Sequence, residues 1–194
     1  MIRFEGRAVH ISASPGAGKT TLCLGVVSDT VLSGGRVIWA CRKMPDPHRF
    51  REILQDIDEQ ALMSISILNF STDFAGNLDF ILTRAEDFGR DDVVIVDDWC
   101  ESNGKARKDD VDAAEKLSSI AHKTNLIITS SSYEDASGFS DSGWLTRGGT
   151  QIESSYATFL LLKHPKKDGV RIISGEDTLI LAKMTSKGLE ELVN

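Results

Sequence analysis

The sequence predicts an α/β fold, with a mostly parallel twisted sheet flanked by helices and antiparallel strands near the C-terminal end. Three observations favour this fold. Strand-like and helix-like patterns alternate along the 194 residues, as in parallel sheets with crossover helices. A glycine-rich loop at 13–20 joins a strand-like segment to a helix-like one. Residues 93–96 are all apolar and are flanked by two aspartates, which is typical of a strand buried on both faces.

The elements can be placed in order within a single domain spanning residues 1–194. Strands are predicted at 7–12, 36–41, 64–70, 92–97 and 125–130. Helices are predicted at 20–32, 45–58, 77–88 and 111–123, and the first ends at a Ser-Gly-Gly stop signal. The Ser-, Gly- and Asp-rich segment 131–150 is predicted to be a long loop, and such loops tend to be functional. Three strands with short turns are predicted at 157–163, 170–174 and 178–184.

The loop at 13–20, here called the P-loop, reads Ala-Ser-Pro-Gly-Ala-Gly-Lys-Thr. It fits the phosphate-binding pattern G-x-x-x-x-G-K-[ST], with alanine in place of the first glycine. Glycines let the backbone turn several N–H groups toward one anion, and the following helix adds its dipole. The lysine can reach the β- and γ-phosphates of a nucleotide. The residues predicted to bind it are Ser14, Pro15, Gly16, Ala17, Gly18, Lys19, Thr20 and Thr21.

Residues 93–98 supply the second half of the predicted site. An apolar strand that ends in Asp97 and Asp98 places carboxylates at the sheet edge where ligands collect. A hydroxyl and a carboxylate are hard oxygen ligands, so Thr20 and Asp97 are predicted to hold Mg²⁺. Asp98 is either a surface acid or a base that polarises the attacking water. Lys19 and Asp98 are therefore the candidate catalytic residues, with ATP and Mg²⁺ as the expected cofactors.

Composition excludes several classes of protein. The net charge of −7 argues against a surface coated with nucleic acid. Two short basic stretches, at 105–108 and 163–167, are either solvated turns or local binding sites. The sequence has no apolar run long enough for a membrane span and no signal-peptide core at its start, so a cytoplasmic protein with no membrane partner is expected. The three cysteines are not closely paired, which favours reduced, packed thiols.

The classes of P-loop protein can be separated by the segments that come after the loop. A GTPase should show a guanine-reading Asn-Lys-x-Asp segment, and none occurs. A protein of the AAA+ class should carry a helical lid after the core, whereas this sequence ends in predicted strands. A small-molecule kinase should carry an arginine-rich lid, for which Arg147 is a lone candidate.

Segments along nearly the whole chain resemble, in order, the RecA superfamily, and more narrowly the short archaeal RadA/RadB-like recombinase paralogues. Residues 5–22 resemble the opening strand and P-loop of that family. Residues 36–40, followed by Pro-His-Arg-Phe at 47–50, look like its second strand and the start of its next helix. Ile-Ile-Thr-Ser-Ser at 127–131 lies where the family has a strand ending in Thr-Asn-Gln. Residues 147–162 and 179–192 are similar to its Gly-Gly segment and its closing strand.

The resemblance implies a RecA-like core that binds ATP. It places Arg49 where the family's arginine stacks on adenine, although an arginine on a helix surface would give the same pattern. It also implies that the loops after Asp98 and Ser131 reach single-stranded DNA. The candidate DNA contacts are Lys105, Arg107, Lys108 and Arg147.

Two departures from the family bear on its activity. The family's catalytic glutamate follows the second strand, where this chain has Cys-Arg-Lys-Met at 41–44. The glutamine that senses the γ-phosphate is replaced by Ser131. We therefore predict an ATP-binding paralogue with weak hydrolysis that regulates assembly with a recombinase, a paralogue or a second copy of itself. The rivals are an ATP-binding regulator of a motility, clock or tRNA-modification machine, and a small-molecule phosphoryl transferase.

Overall fold

The computed structural model describes residues 6–138, 140–175 and 178–192, which form one large sheet with helices on both faces. The strands are β1 (Ala8–Ala13), β2 (Val37–Cys41), β3 (Ile65–Asn69), β4 (Val93–Asp97), β5 (Asn125–Ser131), β6 (Tyr133–Glu134), β7 (Trp144–Leu145), β8 (Ala157–Lys163), β9 (Val170–Gly175), β10 (Thr178–Thr185) and β11 (Gly188–Glu191). The helices are α1 (Lys19–Leu32), α2 (Pro47–Leu54), α3 (Glu59–Leu62), α4 (Phe74–Arg84), α5 (Lys108–Ser118), which continues as a 3₁₀ turn at Ser119–His122, and α6 (Gly149–Ser155).

The described strands of the main sheet are arranged in the order β11-β10-β9-β8-β1-β5-β4-β2-β3. The six strands from β8 to β3 pair in parallel, and β8 to β11 pair in antiparallel fashion. This confirms the predicted fold class. Because β1 lies between β8 and β5, the carboxyl ends of β8, β1, β5 and β4 meet at one edge, next to the P-loop. Ligands of open α/β sheets collect at such an edge.

Two apolar layers hold the helices on the sheet. One layer packs α1 and α2 against one face and includes the fully buried Trp39. The other packs α4 and α5 against the opposite face around Phe74 and Trp99. Parallel strands covered on both faces need apolar residues at every position, and all five residues of β4 are buried. The buried Asp97 at its end is therefore an exception that a packed core does not explain.

The boundaries of several predicted elements were wrong, because local caps override apolar periodicity. The predicted helix 45–58 is the shorter α2 at Pro47–Leu54, and the separate short helix α3 follows at Glu59–Leu62. Each begins at an aspartate, Asp46 or Asp58, whose side chain accepts a backbone N–H. Helix α4 begins three residues before its predicted start because Asp73 caps it, accepting from Gly76 N at 2.9 Å. The predicted loop 131–150 contains the short hairpin of β6 and β7, while α6 and β11 were missed. Within the described residues, no helix is long and apolar enough to cross a membrane.

Candidate nucleotide-binding site

The P-loop connects β1 to α1 through two residues with left-handed backbone angles, Gly16 at φ 69° and Gly18 at φ 106°. L-residues with a side chain rarely adopt such angles. A Cβ on Gly18 would lie 2.6 Å from Met184 Cε, the movable end of a flexible side chain, so the backbone angle is what requires glycine there. The N–H of Leu22 donates to Gly18 O at 2.9 Å, which begins the helical hydrogen bonding of α1. The loop therefore has the backbone shape of an anion cradle at the N-terminus of a 14-residue helix.

Lys19 lies between the ends of two neighbouring strands. Its Nζ atom is 2.7 Å from Asp98 Oδ1, after β4, and donates to Ser131 Oγ at 3.2 Å, at the end of β5. The Lys19 and Asp98 side chains are 16% and 32% exposed, so the ion pair is reachable from solvent. The structure thus brings together three residues that are 33 or more positions apart in sequence.

Asp97 is buried beside the P-loop and shares its carboxylate between two threonines. Thr129 Oγ1 donates to Asp97 Oδ1 at 2.6 Å, and Thr20 Oγ1 donates to Oδ2 at 3.3 Å. Burial, with the nearby charge of Asp98, raises the pKa of Asp97. A buried acid costs stability unless a cation or hydrogen bonds compensate it. The sequence alone did not indicate that Thr129 has this role.

The donor set fits Mg²⁺ shared with a phosphate better than a metal enclosed by protein ligands. In the part of the chain that the structure describes, no group of three or more His, Cys, Asp or Glu side chains is placed to hold a metal. Thr20 and Asp97 offer only two hard oxygen donors. Mg²⁺ usually keeps several waters and takes one or two protein ligands plus phosphate oxygens. The arrangement therefore fits ATP and Mg²⁺ together.

Asp98 has a strained backbone that its neighbours hold in place. Its φ of 57° is in the left-handed region, where aspartate is tolerated better than most residues. Its N–H donates to Thr129 Oγ1 at 2.9 Å, and its carbonyl accepts from Arg42 Nε at 3.0 Å. Arg42 also donates to Trp99 O at 3.1 Å and forms an ion pair with Glu101 at 2.8 Å. An arginine thus braces the end of β4, and its role was not apparent from the sequence.

No family model matches the chain, and no curated protein matches its sequence. Among solved structures, the RadB recombinase superposes with a TM-score of 0.70 at 18% identity, covering 97% of this chain and 91% of that one. The chain has the RecA-like fold. A KaiC-like protein from the hyperthermophilic archaeon Pyrococcus horikoshii gives a TM-score of 0.70 at 15% identity, covering 97% and 90% of the two chains. A DnaB-like replicative helicase gives 0.67 at 12% identity, covering 97% of this chain and 58% of the helicase.

These similarities confirm the predicted RecA-like core and concern the fold alone. Within that core, Arg49 projects from α2 toward the start of α1. Its Nε donates to Thr21 Oγ1 at 3.3 Å, Nη2 donates to Thr185 O at 2.7 Å, and Nη1 pairs with Glu52 at 2.5 Å. The guanidinium is therefore held in a fixed position beside the P-loop. Stacking of this group on adenine stays a prediction.

Three of the four candidate DNA-binding residues, all but Arg107, line a cavity of about 590 Å³ on the α5 and α6 side of the RecA-like core. Lys105 and Lys108 line it and are exposed, and neither side chain forms a hydrogen bond or ion pair with the described residues. Tyr133, which is 43% exposed, contributes an aromatic ring. Arg107 differs because its guanidinium pairs with the buried Asp110 at 3.1 Å. It is therefore partly neutralised.

Arg147 does not offer a free cation to DNA, which corrects the sequence-based prediction. The residue is 6% exposed. Its Nε donates to Ser131 O at 2.8 Å, and its other two nitrogens donate to the carbonyls of Gly104 and Ser102. Three loop segments are joined by this one side chain, so its role here is structural. Sequence reasoning missed this because the three acceptors are backbone atoms that only the fold brings together.

Proposed function

We propose that the protein is an ATP-binding RecA-fold switch that hydrolyses ATP slowly, and whose nucleotide occupancy regulates assembly with a partner in DNA recombination or repair. The partner is a recombinase, a related RecA-fold chain or a second copy of this chain. The observation that carries the nucleotide part is the meeting of Lys19 with Asp98 and Ser131 beside the Thr20–Asp97 pair. A lysine, a hydroxyl and two carboxylates that meet at the carboxyl edge of a sheet are typical of a ligand site.

Each residue has a role that its position supports. The N–H groups of the P-loop would bind phosphate oxygens, and Lys19 would exchange its contact with Asp98 for one with the terminal phosphates. Thr20 and Asp97 would hold Mg²⁺, which when bound offsets negative charge on phosphate oxygens. Bound metal would also favour the ionised form of Asp97. Arg49, held next to Thr21, is positioned for the base end of the nucleotide.

Slow hydrolysis is supported by how the carboxylates at this edge are engaged. Asp97 already accepts from Thr20 and Thr129, and Asp98 pairs with Lys19. Arg42 follows β2, where the family resemblance leads us to expect a catalytic glutamate. Without a positioned general base, the rate of such a reaction falls by about 10²–10⁴. Asp98 would be placed to restore part of that rate if Lys19 moved away.

Nucleotide binding and turnover should be measured on one preparation of wild type, Lys19→Ala and Lys116→Ala. Lys116 is an exposed lysine on α5 and controls for the loss of one positive charge. We expect Mg²⁺-dependent ATP binding by the wild type and the control, loss of at least about tenfold in affinity for Lys19→Ala, and negligible turnover. Equal affinity in all three would refute the nucleotide site. Turnover as rapid as that of a filament-forming recombinase would refute the switch.

The DNA part of the proposal is supported by the cavity lined by Lys105, Lys108 and Tyr133, and by the likeness to the RadB recombinase fold. Two free lysines and an aromatic ring are the groups that bind single strands without reading sequence. The double variant Lys105→Ala, Lys108→Ala should bind single-stranded DNA more weakly. The slope of its log affinity against log salt concentration should be smaller by the amount expected for about two phosphate contacts. The matched control is Lys116→Ala, Lys123→Ala, which removes the same charge elsewhere.

A second candidate is a RecA-fold regulator of a machine that does not act on DNA. Two observations favour it, the net charge of −7 and the likeness in fold to a KaiC-like protein. Both candidates require the same nucleotide site. Nucleotide binding by a wild type that has no salt-sensitive affinity for single-stranded DNA would favour this second function.

A further inference from the structure

The P-loop is approached from its second side by the end of β8. In the sheet, β8 pairs with β1 on the side away from β5, with Leu161 opposite Ala13. Ser14 N, the first P-loop donor, hydrogen-bonds to Leu161 O at 3.1 Å. Two residues later β8 ends at Lys163, whose Nζ would be 3.1 Å from a Cβ built on Gly16. The ammonium group therefore rests against the turn of the P-loop.

Lys163 is not neutralised by the protein. Its side chain is exposed, and it forms no hydrogen bond or ion pair with any residue that the structure describes. Lys19, on the other side of the loop, is instead paired with Asp98. A lysine held against an anion-binding loop without a carboxylate partner has its charge available for a ligand.

A second cation stands directly opposite Lys163. Arg171 of β9 is its register partner in the antiparallel β8–β9 pair, so the two side chains share one face of the sheet. Arg171 Nε donates to Ala17 O at 2.7 Å, and its Nη1 donates to Val170 O at 3.0 Å. Both acceptors are neutral carbonyls. Like charges directly opposite each other destabilise a strand pair, and an anion bound at the P-loop would relieve that repulsion.

We propose that Lys163 is a second phosphate-binding lysine of the nucleotide site, acting from the flank opposite Lys19, while Arg171 fixes the loop backbone on that flank. This inference rests on the proposed nucleotide function. The ligand chemistry is a polyphosphate anion, and the nucleoside part is not involved. Lysine suits the role because its compact charge on a flexible stem can follow a phosphate chain that moves during binding and release.

The inference predicts a graded, charge-dependent loss of affinity. Lys163→Ala should weaken binding of a fluorescent ATP analogue about 5–10-fold, as expected for one partly solvated charge-assisted contact. Lys163→Arg should lose less affinity than Lys163→Ala because the charge is kept, although the planar guanidinium differs in shape from the compact ammonium group. The effect should shrink as salt is raised from about 0.05 to 0.5 M, because exposed charges are screened. Lys166→Ala, in the exposed turn after β8, is the matched control.

A measurement that involves no turnover completes the test. Inorganic pyrophosphate should raise the melting temperature of wild type and Lys166→Ala more than that of Lys163→Ala, because ligand binding to the folded state stabilises it by mass action. If the wild type binds ATP and Lys163→Ala binds it equally well at low salt, the inference is wrong while the proposed function stands. If the wild type binds no nucleotide at all, both fail. Urea midpoints of the variants equal to that of wild type would exclude misfolding as the cause of a loss.

Discussion

Replacing Asp98 with asparagine should tighten nucleotide binding. Lys19 Nζ lies 2.7 Å from Asp98 Oδ1, so a phosphate must displace this carboxylate to gain the lysine. The side chains are 16% and 32% exposed, and an ion pair of that kind contributes about 0.2–1 kcal/mol. Its removal should lower the Kd for Mg-ATP by up to about fivefold. Asparagine tolerates the left-handed φ of 57° as well as aspartate does, so the end of β4 should keep its shape.

The assay is an equilibrium titration of a fluorescent ATP analogue at low salt, with Glu101→Gln as the matched control. Glu101 is a nearby acid that pairs with Arg42, so its replacement removes the same charge without releasing Lys19. We expect a lower Kd for Asp98→Asn and an unchanged Kd for the control. Equal tightening in both variants would attribute the effect to net charge. An unchanged or higher Kd for Asp98→Asn alone would refute the competition between carboxylate and phosphate.

Three further predictions concern stability, measured by urea denaturation. Burial with nearby negative charge raises the pKa of Asp97. The stability of the folded wild type that comes from this group is therefore lost as pH rises above about 4. At pH 7 the Asp97→Asn variant should be more stable than the wild type by about 0.5–2 kcal/mol. The Asp97→Asn variant should also lose the stabilisation that Mg-ATP gives to the wild type. Burial opposes ionisation of Asp92, yet hydrogen bonds from Arg36 and the backbone lower its pKa. The stabilisation that ionised Asp92 gives is therefore lost as pH falls below about 4. In the Asp92→Asn variant, the free energy of unfolding should fall less steeply with pH in that acidic range. Tyr156→Phe, which removes the buried bond to Ala114 O at 2.5 Å, should cost about 1 kcal/mol and leave nucleotide affinity unchanged.

The parts of the site that could be predicted are those that depend on local geometry. The P-loop has two left-handed residues, Gly16 and Gly18, and a helix follows at once. All of these residues are neighbours in the sequence, so the pattern can be recognised without knowledge of the fold. Asp97 could be predicted for a related reason. A carboxylate that closes an apolar run has no role in the core, so its position at the carboxyl end of a buried strand indicated a ligand.

The residues that could not be predicted act through distant partners. Thr129 contacts both aspartates only because β5 lies beside β4. Lys163, at the end of β8, reaches the P-loop only because β8 pairs with β1, although about 150 residues separate the two strands in sequence. Local patterns do not carry strand order, which is set by packing of whole elements. Arg147 was misassigned for the same reason, since a basic residue in a polar loop usually faces solvent.

The two flanks of the P-loop differ in charge, and this difference has a chemical consequence. On the β4 and β5 side lie Asp97 and Asp98, and on the β8 and β9 side lie Lys163 and Arg171. A divalent cation is favoured beside Asp97, which accepts only hydroxyl hydrogen bonds, and phosphate oxygens are favoured beside Lys163, which has no carboxylate partner among the described residues. A nucleotide without its metal would meet two carboxylates on one side, whereas Mg-ATP complements both sides at once. The geometry therefore favours the metal complex as the ligand, and affinity for free ATP should fall well below that for Mg-ATP.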